Sequence, residues 1–365
     1  MDGPSILCSV TTTTNVLGER EMRSAWRRRD DAYDGLFVFG VTTTRIYCRP
    51  TCPSQPDESH LVFFRDSEEA KRAGYRACRR CSPDARSGEP PDWIQRLLRQ
   101  LPVRAARKVT SADLQSWGFA PERVRRWFQK QYGMTFAAWW RSNRLYQSKR
   151  ILREGGSLED AVFEQGFESH SGFRSAFARA FGSAPGRSRT EGCLCVALVP
   201  TPLGSMLAAA DESAVFHLEF TTPSRLAADR ERIRKRSRLP VIPGENPLLS
   251  QLSRELDSYF LTGRTEFTVP VHIEGTEFQR KVWTTLQTIP PGNTWSYARL
   301  AEQIGFPSAV RAVARANATN PLHILVPCHR VVGKDGRLSG YAGGVWRKQR
   351  LLQLERAEAQ SDPVT

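Results

Sequence analysis

Apolar residues along this chain fall into three successive patterns. Between residues 35 and 66 they come in short bursts. GLFVFGVTTTRIYC (35–48) and HLVFFRD (60–66) are crowded with β-branched and aromatic side chains and predict strands. SEEAKRAGY (67–75) predicts a short helix, with Ser67 as its cap and Glu68 and Glu69 in its first turn. From residue 111 the period lengthens. SADLQSWGFAPERVRRWFQKQYGM predicts a helix, a tight turn at Gly118 and a second helix opening on Pro121, a residue suited to a first helical turn. Val124, Trp127, Phe128 and Tyr132 fall on one stripe of that second helix, and Arg123, Arg125, Arg126, Gln129 and Lys130 mostly off it. FAAWWRSNRLYQSKRILREG is long enough for one connecting helix.

The pattern then recurs. SLEDAVFEQGFESHSGFRSAFARAFG (157–182) opens with Ser157 and Asp160 at capping-box spacing, turns at Gly166, and runs into a helix with Phe173, Phe177 and Phe181 on one face. The ending Phe128-x-x-x-Tyr132-Gly133 is echoed by Phe177-x-x-x-Phe181-Gly182. The middle of the chain therefore holds two helix-turn-helix units joined by a helix. In the last part, CVALVPTPLGSMLAAADESAVFHLEF (195–220) shows two apolar runs around a polar turn. The charged stretch at 224–247 reads as a helix-plus-loop connection. TEFQRKVWTTLQTI (276–289), SYARLAEQIG (296–305) and SAVRAVARANAT (308–319) predict helices, with Ser296 and Ser308 as caps. Ile324-Leu325-Val326 reads as a buried strand leading to Pro327-Cys328-His329-Arg330.

Pro-, Gly- and Ser-rich stretches at 82–93 and 182–192 mark linkers. A chain of 365 residues exceeds what one core usually serves, so several domains are expected. No apolar run approaches the ~20 residues that a bilayer requires. The first 26 residues have neither a basic region nor a long apolar stretch, so no secretory signal is expected and a cytoplasmic protein is the default.

The formal charge is +15, and it is unevenly placed. Residues 1–92 carry 14 basic and 14 acidic side chains, residues 93–192 carry 18 and 8, and residues 193–365 carry 21 and 16. The helical middle is thus the electrostatic footprint, and a polyanion is the expected partner.

Eight cysteines are too few and too scattered for a small secreted disulfide framework. Four of them form two close pairs: Cys48-x3-Cys52 and, 25 residues later, Cys78-x2-Cys81. Close thiol pairs joined by a folded spacer supply four soft ligands for tetrahedral zinc, one ion per chain with no organic cofactor. Such a metal helps to fold a domain with little core, and a thiolate on zinc is still a nucleophile. A further cysteine, Cys328, stands between a proline and His329. That pairing by itself fits any Cys–His nucleophile, a hydrolase included. Cys8, Cys193 and Cys195 have no partners in spacing and read as buried or incidental thiols. His323 reads as a packing residue, and His60, His217 and His272 belong to no constellation.

TTTRIYCRPTCPSQ with AGYRACRRCSPD resembles the N-terminal metal-binding domain of the bacterial Ada family of DNA repair regulators. The resemblance implies that Cys48 takes a methyl group from a DNA methylphosphotriester, with Cys52, Cys78 and Cys81 as the other zinc ligands. The middle segment resembles the AraC-type pair of helix-turn-helix units found at the same place in that family. It implies contacts to DNA from Arg123, Arg125, Arg126 and Gln129 in the first unit and from His170, Arg174 and Ser175 in the second. The first unit departs from the usual pattern in its short leading helix. PCHRVV, with Asn320 before it and GRLSGYAGG after it, is similar to the active site of O6-alkylguanine-DNA alkyltransferases, and the match runs from GTEFQRKVW to WRKQRLLQLE.

Carried over by position, the resemblance makes Cys328 the alkyl acceptor and His329 the base that removes its proton through a water. Glu355 orients and charges that imidazole. Asn320 braces the turn, Tyr297 attends the leaving guanine, and Arg311 fills the gap left by a flipped base. Ala342-Gly343 stand where some relatives carry a hydroxyl or a larger side chain, which bears on the alkyl groups accepted. The implied architecture is multidomain α+β. A small zinc-bound α/β domain (1–90) precedes an all-α double helix-turn-helix domain (91–190). A strand-rich, RNase H-like subdomain (191–272) and a helical, winged-helix-like catalytic domain (273–360) complete the chain. The implied function is irreversible methyl transfer from O6-methylguanine and O4-methylthymine to Cys328 and from phosphotriesters to Cys48, with methylation-dependent transcriptional activation. The implied partners of a monomer are alkylated and promoter double-stranded DNA and RNA polymerase, with no membrane; nucleoid-associated cytoplasm is the expected location. Two other readings stand beside it: a regulator that senses alkylated DNA with a purely structural zinc, and a Cys–His hydrolase fused to a DNA-binding module.

Overall fold

The computed structural model describes residues 17–30, 33–84, 90–101, 107–187, 192–244, 246–263, 266–338 and 340–361. Cys8 and parts of both linkers lie outside these. The chain divides into two compact units, 1–87 and 88–365.

The first unit opens with α1 (Glu19–Arg28) and continues through β1 (Val38–Val41), β2 (Ile46–Cys48), β3 (Leu61–Phe64), α2 (Ser67–Arg72) and β4 (Arg76–Ala77). Its sheet has the order β3-β1-β2-β4, with β4 parallel to β2 and the other pairs antiparallel. The two apolar bursts are therefore a hairpin and its neighbouring strand. Gly40 of β1 permits close packing, because a Cβ there would stand 2.7 Å from the rings of Phe64 and Tyr75. The cap of α2 is Asp66, not Ser67: its carboxylate accepts from the Glu69 backbone N–H at 2.7 Å.

The second unit begins with α3 (Asp92–Gln100), α4 (Ser111–Ser116), α5 (Pro121–Tyr132), α6 (Phe136–Arg153), α7 (Leu158–Phe163) and α8 (His170–Phe181). The helices α4–α5 and α7–α8 are the two helix-turn-helix units and α6 joins them. Capping boxes start α4 (Thr110 with Asp113) and α7 (Ser157 with Asp160). Gly133 and Gly182 end α5 and α8 in the left-handed conformation, at φ 66° and 74°.

Next come β5 (Leu194–Val199), β6 (Met206–Ala210), β7 (Val215–Phe220), α9 (Leu226–Ser237), β8 (Val241–Pro243) and α10 (Pro247–Thr262). The sheet order is β7-β6-β5-β8, with β8 parallel to β5. Residues 195–220 thus form three strands, where the apolar pattern suggested two runs. The charged connection contains α9 and β8. Finally come α11 (Glu277–Leu286), β9 (Trp295–Ser296), α12 (Tyr297–Gln303), α13 (Val310–Ala318), β10 (Val331–Val332) and α14 (Val345–Ser361). Ser296 caps α12, but α13 starts at Ala309 without a side-chain cap, so Ser308 does not serve.

The linker at 182–192 is not a break in packing. Phe173, Phe177 and Phe181 of α8 share one buried cluster with Cys193, Cys195, the β5–β7 strands and the segment around Cys328. The first helix-turn-helix keeps a separate core of Ile94, Leu97, Val124, Phe128, Phe136 and Trp140 among others. No helix among the described residues is long and apolar enough to cross a membrane.

Candidate functional site

The first site is built on the parallel pairing of β2 and β4. Tyr47 lies opposite Ala77, so Cys48 and Cys78 leave the sheet side by side. The Cys78 N–H donates to the Tyr47 carbonyl at 3.0 Å, and a turn in which the Cys52 N–H donates to the Arg49 carbonyl brings the second thiol back. Cys48, Cys52 and Cys78 are buried and Cys81 is half-buried. All four sulfurs lie within 4.8 Å of one another. A tetrahedral zinc with Zn–S bonds of about 2.3 Å needs sulfurs about 3.8 Å apart, so the cluster fits that ion. Four thiols this close cannot all ionise alone. Hydrogen bonds from Cys52 and Cys81 push the Cys48 thiol up, while hydrogen bonds from Cys48 and Cys81 pull Cys52 down. A divalent cation removes that conflict. A cavity of about 470 Å³ beside the cluster is lined by Cys78, Ile46, Ser54 and three exposed arginines, Arg76, Arg79 and Arg80. The arginines escaped notice in the sequence, although ACRRC interleaves two of them with ligands.

The second site is the segment 320–332. Ile324-Leu325-Val326 is not a strand. Ile324 sits at φ +73°, a conformation rare for a β-branched residue. The chain then folds through close turns, with Val326 N–H donating to Leu322 O at 2.8 Å and Cys328 N–H to Val326 O at 2.8 Å. Asn320 is what this turn closes around. Its Nδ2 donates to Val326 O at 2.8 Å and to Cys328 Sγ at 3.0 Å, and its Oδ1 accepts from Leu322 N–H at 3.0 Å. Asn317 Nδ2 adds a bond to Cys328 O at 3.4 Å. β7 holds the loop from the other side, through Leu218 N–H to Pro321 O and His323 N–H to Leu218 O.

Cys328 begins a single 3-10 turn, Cys328–Arg330, so His329 does not point opposite to it as in an extended strand. His329 is fully buried, and its Nε2 meets Glu355 Oε1 at 2.8 Å. Glu355, on α14, also accepts from Arg330 Nε (2.8 Å), Arg330 Nη2 (2.9 Å) and Tyr259 Oη (3.0 Å). Burial alone would raise this carboxyl, but His329 and Arg330 outweigh it and hold Glu355 at about 2. His329 Nδ1 is buried with no protein hydrogen-bond partner. Burial pushes Cys328 up to about 11, against the Asn320 hydrogen bond and the Lys348 charge. It therefore rests as a thiol at neutral pH. Burial holds Lys348 down, to about 8, and its ammonium donates to Val331 O.

β9 and β10 pair in parallel, Val332 beside Ser296, which places Tyr297 next to the Cys328 segment. Tyr297 opens α12 and is half-buried. Arg311 lies exposed in the first turn of α13. Tyr341 is buried with its ring 5.2 Å from that of His323, and its hydroxyl has no protein partner. Gly343 is fixed by packing, since a Cβ would stand 2.7 Å from the Tyr341 ring and 2.8 Å from Phe220. Lys348 and Tyr259 lacked any local signal.

On the helix-turn-helix units, Arg125, Arg126 and Gln129 of α5 and Arg174 and Ser175 of α8 are exposed. Arg125 is paired with Glu122 at 2.9 Å, and Arg123, also exposed, lies with its guanidinium 4.4 Å from the Trp93 ring. His170 is half-buried, edge-on to Phe163.

Four family models match in the order of these elements. They are the metal binding domain of Ada (21–84), a helix-turn-helix domain (115–191), and the 6-O-methylguanine DNA methyltransferase ribonuclease-like domain (194–273) and DNA binding domain (277–357). The chain is 35% identical over 341 residues to the bifunctional transcriptional activator/DNA repair enzyme Ada of Escherichia coli, covering 90% of this chain and 93% of that one. It is 36% identical over 338 residues to the regulatory protein ada of Salmonella typhimurium, covering 90% and 94%. A methylated-DNA–protein-cysteine methyltransferase of Mycobacterium leprae is 42% identical over 156 residues, 43% of this chain and 88% of that one.

Proposed function

From the premise that this chain belongs to the Ada family, and is a single-turnover methylated-DNA–protein-cysteine methyltransferase that repairs DNA and activates transcription, we propose which residues perform each task. Cys328 accepts the alkyl group of O6-methylguanine and O4-methylthymine, and Cys48 accepts that of a DNA methylphosphotriester. The arrangement of Cys328, Asn320, His329 and Glu355 carries the reading.

A flipped guanine presents its O6-methyl carbon to the buried thiol, with Arg311 occupying the vacated stack. Through a water, His329 Nδ1 takes the Cys328 proton while Nε2 stays on Glu355, so the imidazolium forms beside a carboxylate that is already ionised. The Sγ–C bond forms as the C–O6 bond breaks, and the electron pair leaves on guanine, which Tyr297 attends with its hydroxyl proton. The thioether has no leaving group of comparable quality, and each chain reacts once.

In the first unit, Cys48, Cys52, Cys78 and Cys81 hold zinc, which when bound keeps the sulfurs as nucleophilic thiolates at neutral pH. Cys48 forms a bond to the methyl carbon as the carbon–oxygen bond of the phosphotriester breaks, and the phosphodiester leaves with the electron pair. Arg76, Arg79 and Arg80 receive the flanking phosphates. Methylation removes one negative charge from the cluster and relieves its repulsion from DNA, which couples repair to tighter promoter binding by α5 and α8. The finer partner and location, a monomer meeting RNA polymerase on the nucleoid, follow from the same reading.

Incubation with DNA carrying labelled methyl groups tests it. Label is expected on Cys328 from methylguanine and on Cys48 from phosphotriesters. Cys328→Ala removes the first and keeps the second. Because Cys81 is the more exposed sulfur, it is the alternative acceptor to check: phosphotriester label mapped to Cys81 would overturn the Cys48 assignment.

A further inference from the structure

The excess charge of the alkyltransferase half sits on one helix. Residues 193–365 carry 21 basic and 16 acidic side chains, and seven of the basic and two of the acidic ones lie in 224–238, leaving fourteen of each sign elsewhere. This is α9 and its flanks. The helix buries Leu226, Asp229 and Ile233 against the β5–β6 face, where Leu194, Val196, Leu207 and Ala209 complete the cluster. Its opposite side is open.

Some of these cations are structural. Arg232 is turned onto Glu219 and Asp229, and Arg225 lies 3.8 Å from Asp229. Cations in a last helical turn also suit the helix dipole. That leaves an exposed group with too few acids. Arg234 and Lys235 share the single carboxylate of Glu231, and exposed Arg238 follows them at the end of the helix.

The position of α9 decides what this surface meets. Tyr132, the last residue of α5, packs into the α9 cluster, and Arg230 Nη1 donates to the Tyr132 carbonyl at 3.5 Å. A basic helix of the alkyltransferase half thus abuts the recognition helix of the first helix-turn-helix, which itself exposes Arg125, Arg126 and Lys130. We propose that α9 is a DNA-backbone contact. Arg234, Lys235 and Arg238 meet phosphates of the duplex flanking the site read by α5, and they lengthen the footprint of the regulatory domain with a surface from the repair domain. The proposal rests on α5 lying on DNA. Contacts of this kind carry no sequence information, but each one releases counterions, so they appear in the salt dependence of binding.

The test uses the full-length zinc-loaded chain and two duplexes with a common centre, the shorter trimmed of its flanks. The variant is Arg234→Gln/Lys235→Gln/Arg238→Gln. Its binding to the long duplex is expected to weaken about tenfold or more, and the slope of log K against log salt to fall by roughly 2 to 3, near 0.9 per lost phosphate contact. Binding to the short duplex should change little. Methyl transfer to Cys328 from a short methylated oligonucleotide should stay at the parent rate and so report an intact fold. An unchanged slope on the long duplex overturns the proposal, as does an equal loss on both duplexes. Arg126→Ala, measured beside it, separates the two readings: if it weakens both duplexes while the triple variant does nothing, α5 reads DNA and α9 does not.

Discussion

Glu355 is a buried carboxylate on which the segment around Cys328 closes. His329, Arg330 and Tyr259 all donate to it, and none of the four is exposed to water. Breaking a buried ion pair from one side leaves a charge without compensation, at about 3–5 kcal/mol. Glu355→Gln should cost the second unit about that much unfolding free energy, read as a lowered denaturation midpoint, and slow transfer to Cys328, and an unchanged melt would contradict the buried pairing. His323 makes a second prediction. Burial holds its folded value near 3, against 6.5 in the unfolded chain. The unfolded chain therefore binds a proton that the fold refuses. Stability is whole above pH 6.5 and drains as the pH falls toward 3, by at most about 1.4 kcal/mol per unit. Glu355 adds its own loss only below 4.5, as pH falls through about 2. His323→Gln should lessen the slope of the stability curve between pH 6.5 and 5, where Glu355 is silent and His217, whose imidazole burial likewise holds well below 6.5, supplies the remaining slope; an unchanged slope would refute this. At this scale the sequence was informative wherever chemistry is written in neighbours, as for Cys328 with His329. It was silent on Tyr259 and Lys348, whose place is set by helices distant in the chain, and on the left-handed Ile324, which no propensity favours.

Elements were legible where a single periodicity ran uninterrupted. The stripes of α5 and α8, and their glycine ends, needed only helical spacing. Strand β8 did not show itself, because three residues behind a charged helix carry too little pattern, and its identity comes from pairing with β5. The misplaced caps at Ser67 and Ser308 have the same origin. Backbone geometry decides whether a polar residue near a helix start caps it: at α2 it chooses Asp66, and at α13 no side chain does. The join between α6 and α10 was hidden for a different reason: it is made across the linker. Asn246 caps α10 through the Leu248 and Leu249 N–H groups and donates to the buried Tyr146 hydroxyl of α6 at 2.8 Å and to Asp211 O at 2.9 Å. Asn246→Ala removes the cap and leaves that hydroxyl without its donor, so a loss of roughly 2–3 kcal/mol is expected. Because α6 and the β5–β8 sheet share a core, the loss should appear in one cooperative transition containing both the second helix-turn-helix and the alkyltransferase. Two transitions that shift independently would show that this core does not hold them together.

On the scale of the whole molecule, the two units differ in what holds them. The second has a large apolar core running from α6 to α14. The first has small sheet clusters, and three of the zinc ligands, Cys48, Cys52 and Cys78, are themselves buried members of one of them. For a domain of that size, metal binding energy is folding energy. Without the cation the four sulfurs compete for protons, and the turns that carry Cys52 and Cys81 lose the contact that closes them. A strong chelator should therefore abolish phosphotriester transfer and open the segment 33–84 to proteolysis. Among the described residues the second unit holds no further cluster of metal-ligating side chains, and its Cys328 turn is braced by Asn320, Asn317, the β7 backbone and Glu355. Single-turnover transfer from O6-methylguanine to Cys328 should continue at the parent rate in the same chelated sample. If that rate falls with the metal, the two repair activities are not housed in independently stable units, and the division of the chain at residues 87 and 88 does not describe how it works.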